Sequence, residues 1–261
     1  MRYGIEGVRR FGAARAAGYR AGDLTYVFNI CNGFDRQLRD AGHTRAFYWA
    51  NDACWETDLR SSDLGGADGN WSDDVDVFFI LTHGRMNNGV ASLLYNTKAD
   101  SWEARSDMWR LGDRFIEWLF IYGCHTIDIE DPTSHWDVFQ RLHHFCGSWG
   151  DMWDGITTDE VGEDVADNLT DGYSVVGSWI DGVSDWWVNN HAAVVASERQ
   201  STWNGGNIDW SNTTMNRDHV WGHGVVVGDV RPRDKYWLSW VFVLPLDIRV
   251  SGGGWRVLNH V

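Results

Sequence analysis

The chain has 261 residues, 43% hydrophobic and 23% charged, with 22 Lys+Arg against 37 Asp+Glu and a formal net charge of −15. That size and composition suit one sizeable folded domain and exclude a disordered polymer. The acidic balance argues against nucleic acid, whose phosphates need a basic surface, and no apolar run reaches the ~18 residues of a membrane helix, so neither is expected as a partner.

Met1–Arg20 carries five arginines with no apolar segment behind them, unlike a secretory signal, which makes the cytoplasm the expected compartment. Thr25–Ile30 (TYVFNI) reads as a buried strand, Phe34–Ala41 as a helix ending near Gly42, and Arg45–Ala50 as a second strand. A glycine-rich stretch, Leu64–Asn70, precedes Val75–Leu81 (VDVFFIL), the clearest strand pattern in the chain. Val90–Tyr95 suits a short hairpin element and Ser101–Leu111 a helix. Phe115–Tyr122 (FIEWLFIY) is a further apolar strand. His135–Phe145 reads as a helix opened by Pro132, Thr133 and Ser134. Beyond it, Ser174–Val188 has helical spacing, His191–Ala196 suits a strand, Gly205–Asp218 is polar and loop-like, and Tyr236–Leu244 is a late apolar strand. Strands apolar on both faces, alternating with helical segments, predict an α/β fold: a three-layer sandwich around a mostly parallel central sheet. We expect a single domain over 1–261, with its core at about 25–200 and a loop-rich C-terminal part at 201–261.

In open parallel sheets functional groups collect beyond the carboxyl ends of the strands. Here VFFIL runs into Thr82-His83-Gly84, and WLFIY runs into Gly123-Cys124-His125-Thr126. On neighbouring strands, joined by a crossover containing a helix, His83 and Cys124 would share one rim. A thiolate that attacks a carbonyl, with an imidazole managing protons, is nucleophilic catalysis. Gly84 and Gly123 would leave room for substrate, backbone N–H groups would hold an oxyanion, and a following loop or helix start would depress the thiol pKa.

The pattern resembles the caspase-like cysteine peptidases, the clan of caspases, gingipains, legumains and clostripain. Their mark is an apolar strand ending in His-Gly and a second ending in a small residue and Cys. FFILTHG and LFIYGCHT carry that resemblance over roughly Thr25–Phe145. It implies a caspase-like fold with His83 as general acid/base, Cys124 as nucleophile, and the N–H groups of Gly84 and Cys124 as the oxyanion hole. Gly123 departs from the Ala or Ser common before that cysteine. The whole chain is also similar to an actinobacterial-type family that carries no activity across.

Of the other groups, Asp52, Trp55 and Glu56 follow the second strand and are expected to face the reactive rim as substrate contacts, as are His125, Trp149 and Trp153. The chain has 18 tryptophans, too many for core packing alone, which suggests an aromatic wall; Trp179, Trp186 and Trp187 fall at core-like helical spacing. A second His-Gly, in Trp221–Gly224, suits a loop lining the site. His135 and His143 would share a helical face, with His144, Asp128, Glu130 and Asp131 nearby, but no zinc spacing is present and no metal is expected. Nucleotide-binding glycine loops are absent, so no cofactor is expected. The expected function is a cysteine-dependent hydrolase or acyl-transfer enzyme acting on a peptide or small-molecule amide or acyl substrate that is apolar, aromatic or cationic. The alternatives are a tailoring or cyclising enzyme of secondary metabolism with His83 as acid/base, and a non-catalytic Trp-rich binder of a glycan or small molecule.

Overall fold

A computed structural model describes residues 1–184, 190–199, 203–204, 207–230, 236–243 and 256–258. In chain order the strands and helices are β1 (Arg2–Gly7), α1 (Gly12–Ala16), α2 (Val27–Asp40), β2 (Thr44–Ala50), β3 (Val77–Leu81), β4 (Gly84–Asn87), β5 (Val90–Leu94), β6 (Glu103–Arg105), β7 (Trp118–Tyr122) and β8 (His144–Ser148). They continue with α3 (Val161–Thr170), α4 (Val175–Val183), β9 (Ala192–Arg199), β10 (Trp203–Asn204), β11 (Asn207–Ile208), α5 (Thr214–Arg217), β12 (Tyr236–Phe242) and β13 (Arg256–Leu258). The central sheet has the order β13-β12-β9-β8-β7-β3-β1-β2. The five strands from β2 to β8 are parallel to one another, and β9, β12 and β13 add antiparallel. The architecture is the expected α/β sandwich of three layers.

Its two faces are covered differently. Val77, Phe79 and Leu81 of β3 and Trp118, Phe120 and Tyr122 of β7 pack against the apolar stripes of α2, α3 and α4. Phe34 of α2 stacks on Phe79 with ring centroids 4.4 Å apart; burying such a ring contributes roughly 1.5–3 kcal/mol. The alternate residues, Phe78, Ile80, Leu119 and Ile121, meet Phe11, Leu93, Tyr95, Trp109 and Phe139, a layer of hairpins and short turns. This alternation is the two-residue period of a strand buried on both sides. No helix among the described residues is long and apolar enough to cross a membrane.

Several expected elements differ. Thr25–Ile30 is no strand: Thr25 and Tyr26 lead into α2, whose buried positions Val27, Ile30, Cys31, Phe34 and Leu38 follow a helical stripe; that period outweighs the β-propensity of Thr-Tyr-Val. The expected helix over Ser101–Leu111 is instead β6 and a short 3-10 turn, because Glu103–Arg105 pairs with Ser92–Leu94. The crossover from β3 to β7 therefore carries the small sheet β4-β5-β6 rather than a helix. His135–Phe145 is not a helix: a 3-10 segment ends at Val138, and His144 opens β8, which is inserted between β7 and β9. The expected helix from Ser174 ends at Val183, with Ser174 capping it through Gly177 N–H at 3.1 Å. The expected core begins near residue 25, yet β1 lies inside the sheet between β2 and β3. Gly4 is needed there: a Cβ on it would lie 2.2 Å from the Phe47 ring.

Candidate functional site

Strands β3 and β7 are parallel neighbours in the register Leu81↔Tyr122, so Thr82-His83 and Gly123-Cys124 leave the sheet side by side. Thr82 N–H donates to Tyr122 O at 3.3 Å. A Cβ on Gly84 would sit 2.3 Å from Cys124 O and 3.2 Å from Cys124 N, and one on Gly123 would sit 2.7 Å from Thr82 O. The two glycines thus serve the close approach of two backbones, which brings the Gly84 and Cys124 amides to adjacent positions.

His83 is half-buried, its ring 4.7 Å from that of Phe11. Its Nε2 lies 2.8 Å from Gly22 O. A carbonyl can only accept, so Nε2 carries the proton and Nδ1 of the neutral ring keeps its lone pair. The imidazole borders a cleft of about 650 Å³ with Tyr19, Arg20, Gly84, Arg85 and Ser92 among its lining residues. Cys31, Cys54 and Cys146 are buried, whereas Cys124 reaches the surface. Cys124 Sγ accepts from Met152 N–H at 3.4 Å and donates to Met152 O at 3.6 Å. Burial pushes its thiol up, against the lowering effect of the Met152 backbone. The expected depression of the thiol is therefore not found: Cys124 sits in a bend and no helix starts after it. The two groups also turn toward different layers, His83 toward Phe11 and Cys124 toward the helical layer that contains Tyr122 and Met152. Among the described residues no hydrogen bond joins them.

Of the expected substrate contacts, His125 follows Cys124 directly and Trp153 follows Met152, whose backbone holds the thiol, whereas Trp149 packs in the opposite layer. Tyr122 OH donates to Trp153 O at 2.7 Å, and Trp153 is 56% exposed. His125 N–H donates to Gly150 O at 2.9 Å, and the His125 ring Nε2 lies 3.1 Å from Asp151 Oδ1. Its φ of +49° is the left-handed region, rare for a residue with a side chain and often found at functional sites. Trp149 is half-buried, its ring tilted against that of His191 with centroids 4.6 Å apart, and its Nε1 donates to Val243 O at 3.0 Å.

Asp52, Trp55 and Glu56 instead belong to the end of β2, two strands away from β3. Asp52 Oδ1 accepts from Asn96 Nδ2 at 2.7 Å, and Trp55 is partly exposed. Glu56 is fully buried, its Oε1 accepting from the amides of Ala99, Asp100 and Ser101 at 2.7, 2.9 and 3.2 Å. It is a staple for that loop and faces no substrate. Trp179 is core, with Nε1 donating to Gly147 O at 2.9 Å; Trp186 and Trp187 lie outside the described residues. Trp221 lines a different cavity with Glu117 and Asp229, so its His-Gly loop does not line the rim.

Sequence reasoning missed two buried groups. Glu6 of β1 is fully buried and accepts from Tyr95 OH at 3.1 Å; burial and the neighbouring Asp58 carboxyl push it well above the usual range. Buried Asp218 accepts from Trp118 Nε1 at 2.7 Å, His143 Nδ1 at 2.8 Å and Val227 N–H at 2.7 Å, with His144 Nδ1 at 3.4 Å. The adjacent pair His143-His144, next to a strand apolar on both faces, was the available signal. His135 is separate from this group: it accepts Asp128 N–H at 3.2 Å, and burial lowers it to about 4. Among the described residues no group of three or more His, Cys, Asp or Glu side chains could hold a metal ion.

No curated protein matches the chain. The family model of the domain of unknown function DUF6345 matches residues 5–242, and the chain belongs to that family.

Proposed function

We propose that the rim formed by β3 and β7 is the active site of a cysteine-dependent hydrolase or acyl-transfer enzyme with a caspase-like fold. The observation that carries this reading is the Leu81↔Tyr122 register, which sets the His-Gly and Gly-Cys strand ends next to each other. A surface-reaching thiol and an imidazole with Nδ1 left as acceptor support it. Four unpaired cysteines suit a reducing compartment such as the cytoplasm.

In this reading the Cys124 and His83 side chains turn toward each other across the rim, Cys124 leaving Met152, so that His83 Nδ1 takes the proton from Sγ and the sulfur attacks the acyl carbonyl of a peptide or small-molecule substrate. The Gly84 and Cys124 amides hold the oxyanion. Collapse expels the leaving group, which receives the proton from His83, and water or another nucleophile then releases the acyl group. Trp153 and His125 border the thiol and are the substrate contacts.

A second reading is favoured by the turn of His83 and Cys124 toward different layers: the same rim uses His83 alone as acid/base in a tailoring or cyclising reaction. Peptidyl acyloxymethyl ketones separate the two. Thioether formation at Cys124 that His83→Ala abolishes supports the first reading. Absence of labelling in the wild type, with turnover kept in Cys124→Ala, supports the second.

A further inference from the structure

The cleft beside His83 is built by two surfaces that the proposed reaction leaves unassigned. One is the outer face of the small sheet β4-β5-β6. Its register sets Arg85 opposite Ser92 and Ser92 opposite Arg105, with Leu94 opposite Glu103 in the next row of that face. Opposed residues share a face, and so do residues two positions apart. Ala91, Leu93 and Ala104 therefore fill the core, while Arg85, Ser92 and Glu103 line the cleft. The other surface is the segment after α1, residues 17–21, which brings Arg20. His83 and Gly84 close the cleft at the rim, and its volume of about 650 Å³ falls within the roughly 300–1,000 Å³ of small-molecule sites.

The charge in this cleft has the opposite sign to that of the whole chain. The molecule carries −15, yet the cleft is lined by the guanidiniums of Arg20 and Arg85 against one carboxylate, Glu103. Arg85 Nη2 lies 2.6 Å from Glu103 Oε1, the carboxylate 11% exposed and the guanidinium side chain 59%. Glu103 is thus neutralised within the wall, whereas Arg85 keeps donors turned to solvent. Arg20 is exposed and makes no ion pair among the described residues. Ser92 is buried in the cleft wall, and its hydroxyl has no hydrogen-bond partner among the described residues. We infer that the cleft binds an anionic group of the substrate, a phosphate or a carboxylate, held by Arg20, Arg85 and the Ser92 hydroxyl. The inference names the substrate class for the rim and so rests on the function proposed above. Guanidiniums hold both oxyanions through charge-assisted hydrogen bonds, and a hydroxyl adds a neutral donor. The carboxylates that would favour a cationic substrate, Asp52 and Glu56, are outside the cleft, held by Asn96 and by the amides of Ala99, Asp100 and Ser101.

The test is calorimetric titration of full-length Cys124→Ala protein, at low ionic strength in a phosphate-free buffer, with phenyl phosphate, benzoate and neutral benzamide. One equivalent of phenyl phosphate or benzoate should bind, the tighter of the two identifying the group, and benzamide should bind at least about tenfold more weakly. Raising NaCl to about 0.5 M should weaken the anion. Arg20→Gln, at an exposed residue whose loss spares the fold, should lower the affinity about tenfold, as should Arg85→Gln. Glu103→Gln keeps an oxygen to accept from Arg85 but removes the negative charge, and should strengthen binding about two- to threefold. The Cys124→Ala background separates the cleft from the thiol. Anion binding there, in a protein whose wild type resists the acyloxymethyl ketone, supports the cleft and overturns the thiol reaction alone; ketone labelling without anion binding does the reverse. Equal affinity for benzamide, affinity unchanged in both arginine variants, or weaker binding in Glu103→Gln would also overturn the assignment.

Discussion

At one end of the sheet the side-chain hydrogen bonds of His83 and Cys124 go to backbone groups, and both residues reach the surface. At the other end Asp218, fully buried, gathers donors from Trp118, His143 and the Val227 backbone. Both ends are rich in titratable groups, and the difference lies in what each group is bonded to. Removed from water, a polar group must find partners inside the protein, and once it has them it ties elements together. At the rim, solvent satisfies what the backbone does not, so Nδ1 of His83 and the Cys124 thiol remain available for chemistry. A histidine beside a carboxylate is therefore no better a sign of catalysis than one resting on a carbonyl.

Mutation should separate the ends sharply. Asp218→Ala leaves Trp118 Nε1, His143 Nδ1 and Val227 N–H without their acceptor and should cost about 3–5 kcal/mol in denaturant unfolding, the range for breaking a buried ion pair. His83→Ala should cost about 1 kcal/mol or less by the same measurement, because its ring is only half-buried. Equal losses at the two positions would remove the distinction.

A third region sharpens the same point through pH. Glu198 of β9 accepts from the Thr214 and Met215 amides and from Ser239, and burial raises its carboxyl to about 7. An unfolded glutamate ionises near ~4.3, so between about 4.3 and 7 the folded chain holds the extra proton. The Glu198 contribution to stability is then full below that window and is lost as pH rises through it, by about 3–4 kcal/mol. Glu198→Gln should flatten that slope in unfolding midpoints measured from pH 4 to 8. A further effect on stability, between those of Asp218→Ala and His83→Ala, is expected at the backbone of the rim. Gly84→Ala places a Cβ 2.3 Å from Cys124 O, parting the strand ends at a cost of about 1–3 kcal/mol. It should also slow acyloxymethyl ketone labelling of Cys124, read by mass spectrometry.

The juxtaposition of His83 and Cys124 was legible in the sequence because β3 and β7 are apolar on both faces and each is followed, after one intervening residue, by the histidine or the cysteine. Strand β1 was not: Arg2, Gly4, Glu6 and Gly7 are poor strand formers, and Glu6 is tolerated inside because Tyr95, far along the chain, donates to it. The same non-local logic hid Glu56, which reads as a rim carboxylate and folds inward to collect three amides. The tryptophan surplus divides in the same way. Trp109, Trp118, Trp179, Trp237 and Trp240 are buried in the core, while Trp153 stands exposed beside Cys124 and Trp221 at the far end. A continuous aromatic wall is not formed by these residues; which rings line a site depends on strand order, and strand order is not written in local spacing.

The central claim is that Cys124 is a thiol served by His83. Its most direct test is the rate of iodoacetamide modification at neutral pH, mapped by peptide mass spectrometry, in the wild type and in His83→Gln. Cys124 should be modified ahead of Cys31, Cys54 and Cys146, and at least about tenfold more slowly once His83 no longer acts as base. Modification of Cys124 at the same rate in both proteins, or no faster than the three buried cysteines, would contradict the account.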